Sequence, residues 1–405
     1  MLTRRTLLGG IGGGALLGSL GATFAVAGAP TERRLVVVIL RGALDGLAAV
    51  PPYTDPEYRR LRGALALPEN EGILDLNGRF GLHPALAPLH TLYRAGEMTA
   101  LHAVATPYRS RSHFDGQDIL ENGVAGARDL KDGWLNRALG LMGGERLGLA
   151  VGQSVPLILR GDVPVSSWAP PEMPAADSDF LSRLSTLYAN DAVLGPALQQ
   201  GLRAQAMADD ALGDTREGQG RMSGEKMYGR APRPQPLSAT AQTVGRLLAA
   251  PGGARVAVIE LGGWDTHANQ GVLNGQLANR LRDLGEGLAA LKPALGRAWR
   301  ETAILVATEF GRTVAVNGTN GTDHGTGAAA FLLGGAVTGG RVVARWPGLG
   351  ASQLYEGRDL APTLDLRSLM KALLIDHLGL PADGVERVVF PDSRNIQPLR
   401  DTLRA

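Results

Sequence analysis

The sequence predicts an α/β fold, a mostly parallel central sheet with helices on both faces, carrying an inserted helical and loop segment. Three observations predict it. Nearly wholly apolar runs such as Leu35–Leu40 (LVVVIL) and Thr302–Thr308 (TAILVAT) have the character of strands buried on both faces of a parallel sheet. Stretches of helical spacing separate those runs. Clusters of polar, chemically capable residues follow the C-terminal ends of the runs, the edge where open α/β sheets bind ligands.

The chain opens Met1-Leu2-Thr3-Arg4-Arg5, and an apolar, glycine-rich stretch runs from Leu7 to about Val26. It ends at Ala25-Val26-Ala27, a small-x-small cleavage site. Seven glycines between Gly9 and Gly21 make it a poor membrane anchor. Residues 1–27 therefore read as a twin-arginine signal, with the twin-arginine translocase as partner during export, no stable anchor after cleavage, and a periplasmic or secreted mature protein.

Cleavage leaves 378 of the 405 residues, assigned to one α/β domain over residues 28–405 with the insertion at about 170–237. The formal net charge is +2, so removing the two arginines of the leader leaves a mature chain near zero. With no basic patch, nucleic acid is not expected as a partner. The absence of cysteine excludes disulfides, thiolate chemistry and cysteine metal sites, and any metal must take nitrogen and oxygen ligands.

Along the chain, Leu35–Leu40 is the first strand, His83–Arg94 has helical spacing, and Met98–Val104 is the next strand. Ser112–Asn122 opens a helix with Ser112 as its cap, and Ala150–Arg160 contains strand material interrupted by Pro156. Helical stretches near Asp179–Asn190 and Ala192–Ala206 lead into the polar segment Asp209–Pro236. The rhythm then resumes with strands at Arg255–Leu261, Thr302–Thr308, Ala329–Leu333 and Arg341–Trp346, and helices at Asn269–Leu291 and Leu366–Leu378.

Leu35–Leu40 leads into Arg41-Gly42-Ala43-Leu44-Asp45, and Arg255–Leu261 into Gly262-Gly263-Trp264-Asp265-Thr266-His267. Thr302–Thr308 leads into Glu309-Phe310-Gly311-Arg312-Thr313 and then the Asn317–Gly327 loop with Asp323-His324-Gly325. Asp45, Asp265, His267, Glu309, Asp323 and His324 offer the carboxylates and imidazoles that hold a divalent ion such as zinc, manganese, magnesium or calcium. Arg41 and Arg312 are candidate clamps for an oxyanion. A fourth cluster, Thr106 to Asp115, supplies Ser112 or Ser110 as a nucleophile and His113 as a ligand or base. Several of these residues also have a plainer reading: Asp45 as a helix cap or turn residue, Ser112 as a helix cap, Asp-x-His as a turn, Glu309 as a cap or the partner of Arg312; Asp323-His324-Gly325 is the strongest single signal. No Gly-x-Ser-x-Gly occurs, which argues against a serine esterase of the α/β-hydrolase type.

Together LRGALDGL, SHFDGQDILENG, GGWDTHANQ, EFGRT, GTDHGTG and GRDLAPTLDLR make the chain resemble the exported bacterial family called domain of unknown function 1501. That family is itself similar to the alkaline phosphatase/sulfatase superfamily. The resemblance implies a parallel-sheet core, a hydroxyl or formylglycine nucleophile and usually two metal ions. Asp45 resembles the superfamily's first-strand aspartate and Asp323-His324-Gly325 its Asp-His-Gly motif. Asp265 and His267 resemble its other Asp/His pair in a tighter spacing, and the late third histidine has no evident match. A hydrolase of anionic phosphate or sulfate esters is expected; a non-catalytic metal- or anion-binding or assembly protein is the alternative.

Overall fold

The computed structural model describes residues 31–404 except 69–71, 127–129, 145–146, 171–183, 189–190, 192–193, 196–197 and 200–235. The leader at 1–27 and most of the 170–237 insertion lie outside the described residues; of its two expected helices, residues 184–188 of the first and 194–195 and 198–199 of the second are described, and they are helical.

Eleven strands are described: β1 Arg34–Leu40, β2 Leu74–Asp75, β3 Gly81–Leu82, β4 Met98–Ala105, β5 Gly148–Val151, β6 Ser166–Trp168, β7 Val256–Leu261, β8 Thr302–Thr308, β9 Ala328–Leu333, β10 Arg341–Val343 and β11 Leu364–Asp365. Strands β2 and β3 form a separate antiparallel pair. The other nine make one sheet in the order β10-β4-β9-β8-β1-β7-β5-β6, with β11 also on β4. All pairings are parallel except the two made by β9, which runs antiparallel between β4 and β8.

The period-2 geometry of a strand explains the apolar runs. In β1, Val36, Val38 and Leu40 enter the core on one face, while Leu35, Val37 and Ile39 enter the core on the other. The first core is closed by helices α3 (Ala87–Arg94), α6 (Leu237–Ala249) and α7 (Gln276–Leu295), and the second by α5 (Trp134–Met142) and α8 (Leu366–Ala372). Shorter or peripheral helices include α1 (Gly46–Ala49), α2 (Tyr58–Arg62) and α4 (His113–Asn122). Among the described residues no helix is long and apolar enough to cross a membrane.

Register places the functional edge. Leu40 of β1 pairs with Leu261 of β7 and with Thr308 of β8, so the three central strands end level. Strand β4 ends at Ala105 on the same side, and β9 begins there, Ala328 pairing with Val104. The five segments Arg41–Asp45, Thr106–His113, Gly262–His267, Glu309–Thr313 and Asn317–Gly327 therefore meet at one edge.

The structure departs from the sequence reading at several boundaries. The helix expected from Asn269 begins at Gln276, because Asn269 and Gln270 instead donate backbone N–H bonds to Thr319 and Asn320 of the neighbouring loop. The 150–160 segment holds only the last two residues of the four-residue β5 before a 3₁₀ turn at Leu157–Leu159, and β10 stops at Val343. The first helix reads as a 3₁₀ turn, Pro84–Leu86, followed by α3. The last one passes from α8 into a π turn, Leu373–His377. Helix α6 has no counterpart in that reading.

Candidate metal centre

Two glycines let the edge loops stack. A Cβ on Gly42 (φ +117°) would lie 2.6 Å from the Asp265 nitrogen, and one on Gly311 would lie 1.9 Å from the Gly327 carbonyl oxygen. With both positions bare, Asp265 comes over the end of β1 and the Asp323–Gly325 loop folds back on Arg312, to which His324 is bridged.

Four donor side chains converge there. His113 Nε2 is 3.4 Å from Asp265 Oδ2, and Asp265 Oδ1 is 3.2 Å from His324 Nε2 and 3.0 Å from His267 Nε2. The two nitrogens of His267 and His324 are 2.9 Å apart. Ligand atoms of His113, Asp265 and His324 all lie within 4.8 Å of one another, a grouping that could hold a metal ion.

The far side of each ring fixes its tautomer. His113 Nδ1 donates to Glu309 Oε1 at 2.8 Å, His267 Nδ1 to Asp323 Oδ1 at 3.1 Å, and His324 Nδ1 to the Arg111 carbonyl at 2.9 Å. Each acceptor obliges Nδ1 to carry the proton, so in the neutral rings all three Nε2 lone pairs face the Asp265 carboxylate. Four electron-pair donors pointing at one another repel unless a proton or a metal ion lies among them. His113 Nε2 is buried and has no hydrogen-bond partner. Imidazoles held at Nδ1 with a converging Nε2 are the usual form of histidine metal ligands.

Electrostatics keep the acids ionised. Burial works to raise the Asp265 pKa, but the Arg312 hydrogen bond and charge bring it below the usual range. Fully buried Glu309 is likewise pulled down against desolvation, by hydrogen bonds from His113 and the Gly42 N–H. Asp323 is lowered, first by the Asn317 amide. The Glu309 bond raises His113, while burial lowers His324.

The other expected site residues are placed as follows. Asp45 is 1% exposed; it caps α1 through the Ala48 N–H at 3.2 Å, pairs with Arg62, and accepts from Gln270 at 2.7 Å. Its carboxylate thus has other partners than the converging histidines, and the plainer reading as a cap describes it. Glu309 and Asp323 stand behind His113 and His267, hydrogen-bonded to their rings.

Neither arginine is a free anion clamp. Arg41 is neutralised by Glu260 and by Glu121 at 2.8 Å. Arg312, 2% exposed, grips Asp265 and the Thr322 hydroxyl and carbonyl. Ser112 occupies the N-cap position of α4, yet its hydroxyl makes no capping bond, nor any other among the described residues. Ser110 is exposed.

Sequence reasoning missed Arg62, Gln270 and Thr322. Gln270 stands inside the GGWDTHANQ run and Thr322 inside the Asn317–Gly327 loop, whereas nothing marks Arg62 out from the arginines around it.

A family model described as a protein of unknown function, DUF1501, matches residues 82–389. No curated protein matches the chain in sequence. Among solved structures the chain is similar to the C-terminal periplasmic domain of EcEptC from Escherichia coli, in complex with Zn, at 11% identity over 93% of this chain and 90% of that one, TM-score 0.39. It is similar to Ps i-CgsB in complex with k-i-k-neocarrahexaose at 10% identity, over 87% and 73% of the two chains, TM-score 0.40. A 2-O GAG sulfatase is similar at 11% identity over 91% and 75%, TM-score 0.32.

Proposed function

The chain belongs to the DUF1501 family of proteins of unknown function, and from that premise we propose that it is an exported, metal-dependent hydrolase of phosphate or sulfate esters. The observation that carries this reading is the convergence of three Nε2 lone pairs on one carboxylate at the C-terminal edge of the sheet. On this reading His113, Asp265, His267 and His324 hold a divalent ion, with Glu309 and Asp323 orienting two of the rings. The ion supplies Lewis acidity that neutralises charge on an ester oxygen.

The chain's own groups do the rest. Ser112 precedes a ligand histidine and has a hydroxyl free of hydrogen bonds at the start of a ten-residue helix. The free N–H groups of that terminus favour an anion, which suits Ser112 as nucleophile, with Ser110 two residues back. Arg312 acts through Asp265, holding its carboxylate ionised and in place. The leader assigns this chemistry to the periplasm or beyond, after export by the twin-arginine translocase.

Ser112→Ala is expected to remove turnover of aryl phosphate or sulfate without changing metal content, while Ser110→Ala retains it. Reversed results would move the nucleophile to Ser110. One observation favours a second reading, a non-catalytic metal-binding protein: both candidate clamps for a substrate anion, Arg41 and Arg312, are already paired with carboxylates. Metal-loaded protein with no turnover on a broad ester panel would select it.

A further inference from the structure

We infer that this edge holds a single metal ion, because the buried guanidinium group of Arg62 occupies Asp45, the carboxylate a second ion would need. The inference rests on the metal-centre reading above and concerns how many ions that centre takes.

Two-metal hydrolytic sites place their ions about 3.5–4 Å apart and need ligands for both. The carboxylates of the edge can be assigned one by one. Asp45 is saturated: one oxygen accepts from the Ala48 N–H, the other from Arg62 and Gln270. Glu309 spends one oxygen on His113, Gln117 and the Gly42 N–H and the other on the Thr308 hydroxyl. Glu121 and Glu260 are tied to Arg41, and Asp359 gives Oδ2 to Arg111 at 2.8 Å while its buried Oδ1 has no hydrogen-bond partner. Asp323 Oδ1 holds His267 and the Asn317 amide. Asp265 alone presents its carboxylate to the histidine lone pairs. Three imidazoles and one carboxylate complete one ion's ligand set, and the oxygens left over, Asp323 Oδ2 and Asp359 Oδ1, belong to no second group of three ligands among the described residues.

Arg62 and Arg312 stand at the two ends of a buried chain. Arg62 pairs with Asp45, Asp45 accepts from Gln270, and the Gln270 oxygen accepts from the Thr266 and Thr322 hydroxyls. Arg312 then joins Thr322 at 3.1 Å and reaches Asp265. Arg62 and Gln270 are 0% exposed, Thr322 is 0% and Arg312 is 2%. A guanidinium so placed cannot swing into water to make room, because breaking a buried pair leaves an uncompensated charge. Its positive charge also opposes a second cation beside Asp45.

Counting ions on the purified protein tests this without reference to turnover. Zinc-loaded protein, desalted and weighed by native mass spectrometry, should retain one ion per chain, and the manganese(II)-loaded form should give the electron paramagnetic resonance spectrum of an isolated ion. Asp265→Ala should retain none. Two retained ions, or an exchange-coupled manganese pair, would overturn the inference while leaving the metal centre standing. No retained ion would overturn both. Asp45→Asn, where it folds, should still hold one ion, and loss of that ion would make Asp45 a ligand and refute the assignment. The wild-type count decides the question if that variant does not fold.

Discussion

At the scale of single residues, the site was legible wherever one short run of sequence carried the chemistry. Asp265 and His267 lie two apart, and His324 sits in a loop of four glycines and three threonines, where a core histidine would be out of place. What could not be read was the division of labour among acids, because it depends on which residues tertiary packing brings up behind them. Arg62 is an ordinary arginine in Tyr58–Arg62 until the fold buries it against Asp45. Glu309 shows the difference between a candidate ligand and a positioning group: it is fully buried and reaches the candidate centre through His113 Nδ1. Glu309→Ala removes that acceptor, so the imidazole loses its fixed tautomer and orientation. Zinc affinity should fall by about 10- to 100-fold, the usual effect of removing such a partner, measured by competition with a chromophoric chelator. Unchanged affinity would mean that stacking on Phe310, with ring centroids 4.9 Å apart, sets the ring instead.

At the scale of elements, strands were easier to read than helix starts. An apolar run buried on both faces has one interpretation, and Thr302–Thr308 matches β8 end for end. Helix α7 starts seven residues later than its apolar spacing suggests, because loop-to-loop hydrogen bonds claim Asn269 and Gln270 and Gly275 then turns with φ +116°. Such contacts come from segments about 50 residues away and leave no local signal. The loops after β1 and β7 depend on Gly42 in the same way. Gly42→Ala sets a methyl 2.6 Å from the Asp265 backbone at φ +117°, so the Asp265 loop must move. Gly63→Ala is the contrast, since its φ is +44° and nothing lies within 4 Å of the added carbon. Gly63→Ala should cost about 1–3 kcal/mol of stability from backbone strain alone and leave zinc binding intact. Gly42→Ala should lower both the melting temperature and the zinc affinity. Equal effects of the two on zinc binding would show that the close approach of β1 to Asp265 does not position the centre.

At the scale of the whole molecule, two cores on opposite faces of one sheet hold five loop segments at one edge, and each core has a buried histidine nearby that plays no part at that edge. His102 lies among Phe80 and Trp346, its Nε2 donating to the Val50 carbonyl while its Nδ1 accepts from the Ala103 N–H. His377 donates to the Arg34 carbonyl at 2.8 Å. Desolvation is the largest cause in both, and it pushes each pKa down to about 4 from 6.5. Both rings are therefore neutral in the native protein at pH values where the unfolded chain already binds protons. The unfolded state gains protons first as pH drops below about 6.5, so stability falls through the window from 6.5 to about 4 and is fully present only above it. Each group accounts for about 3 kcal/mol once the pH is below both values. The lowered carboxylates Asp265, Asp323 and Glu309 act in the same direction at still lower pH, losing their contribution as pH falls through their depressed values. His113 has the opposite sign: its raised pKa adds stability below the unfolded value that is lost as pH rises. Urea unfolding followed by circular dichroism from pH 7 to pH 4.5, with chelator present to keep metal from competing with protons, should show the midpoint falling steadily with acid. His102→Gln retains a donor for Val50 and removes one titrating ring, so the fall should become shallower. A midpoint independent of pH across that range would mean that these rings are already solvated or protonated in the native state, contrary to their burial.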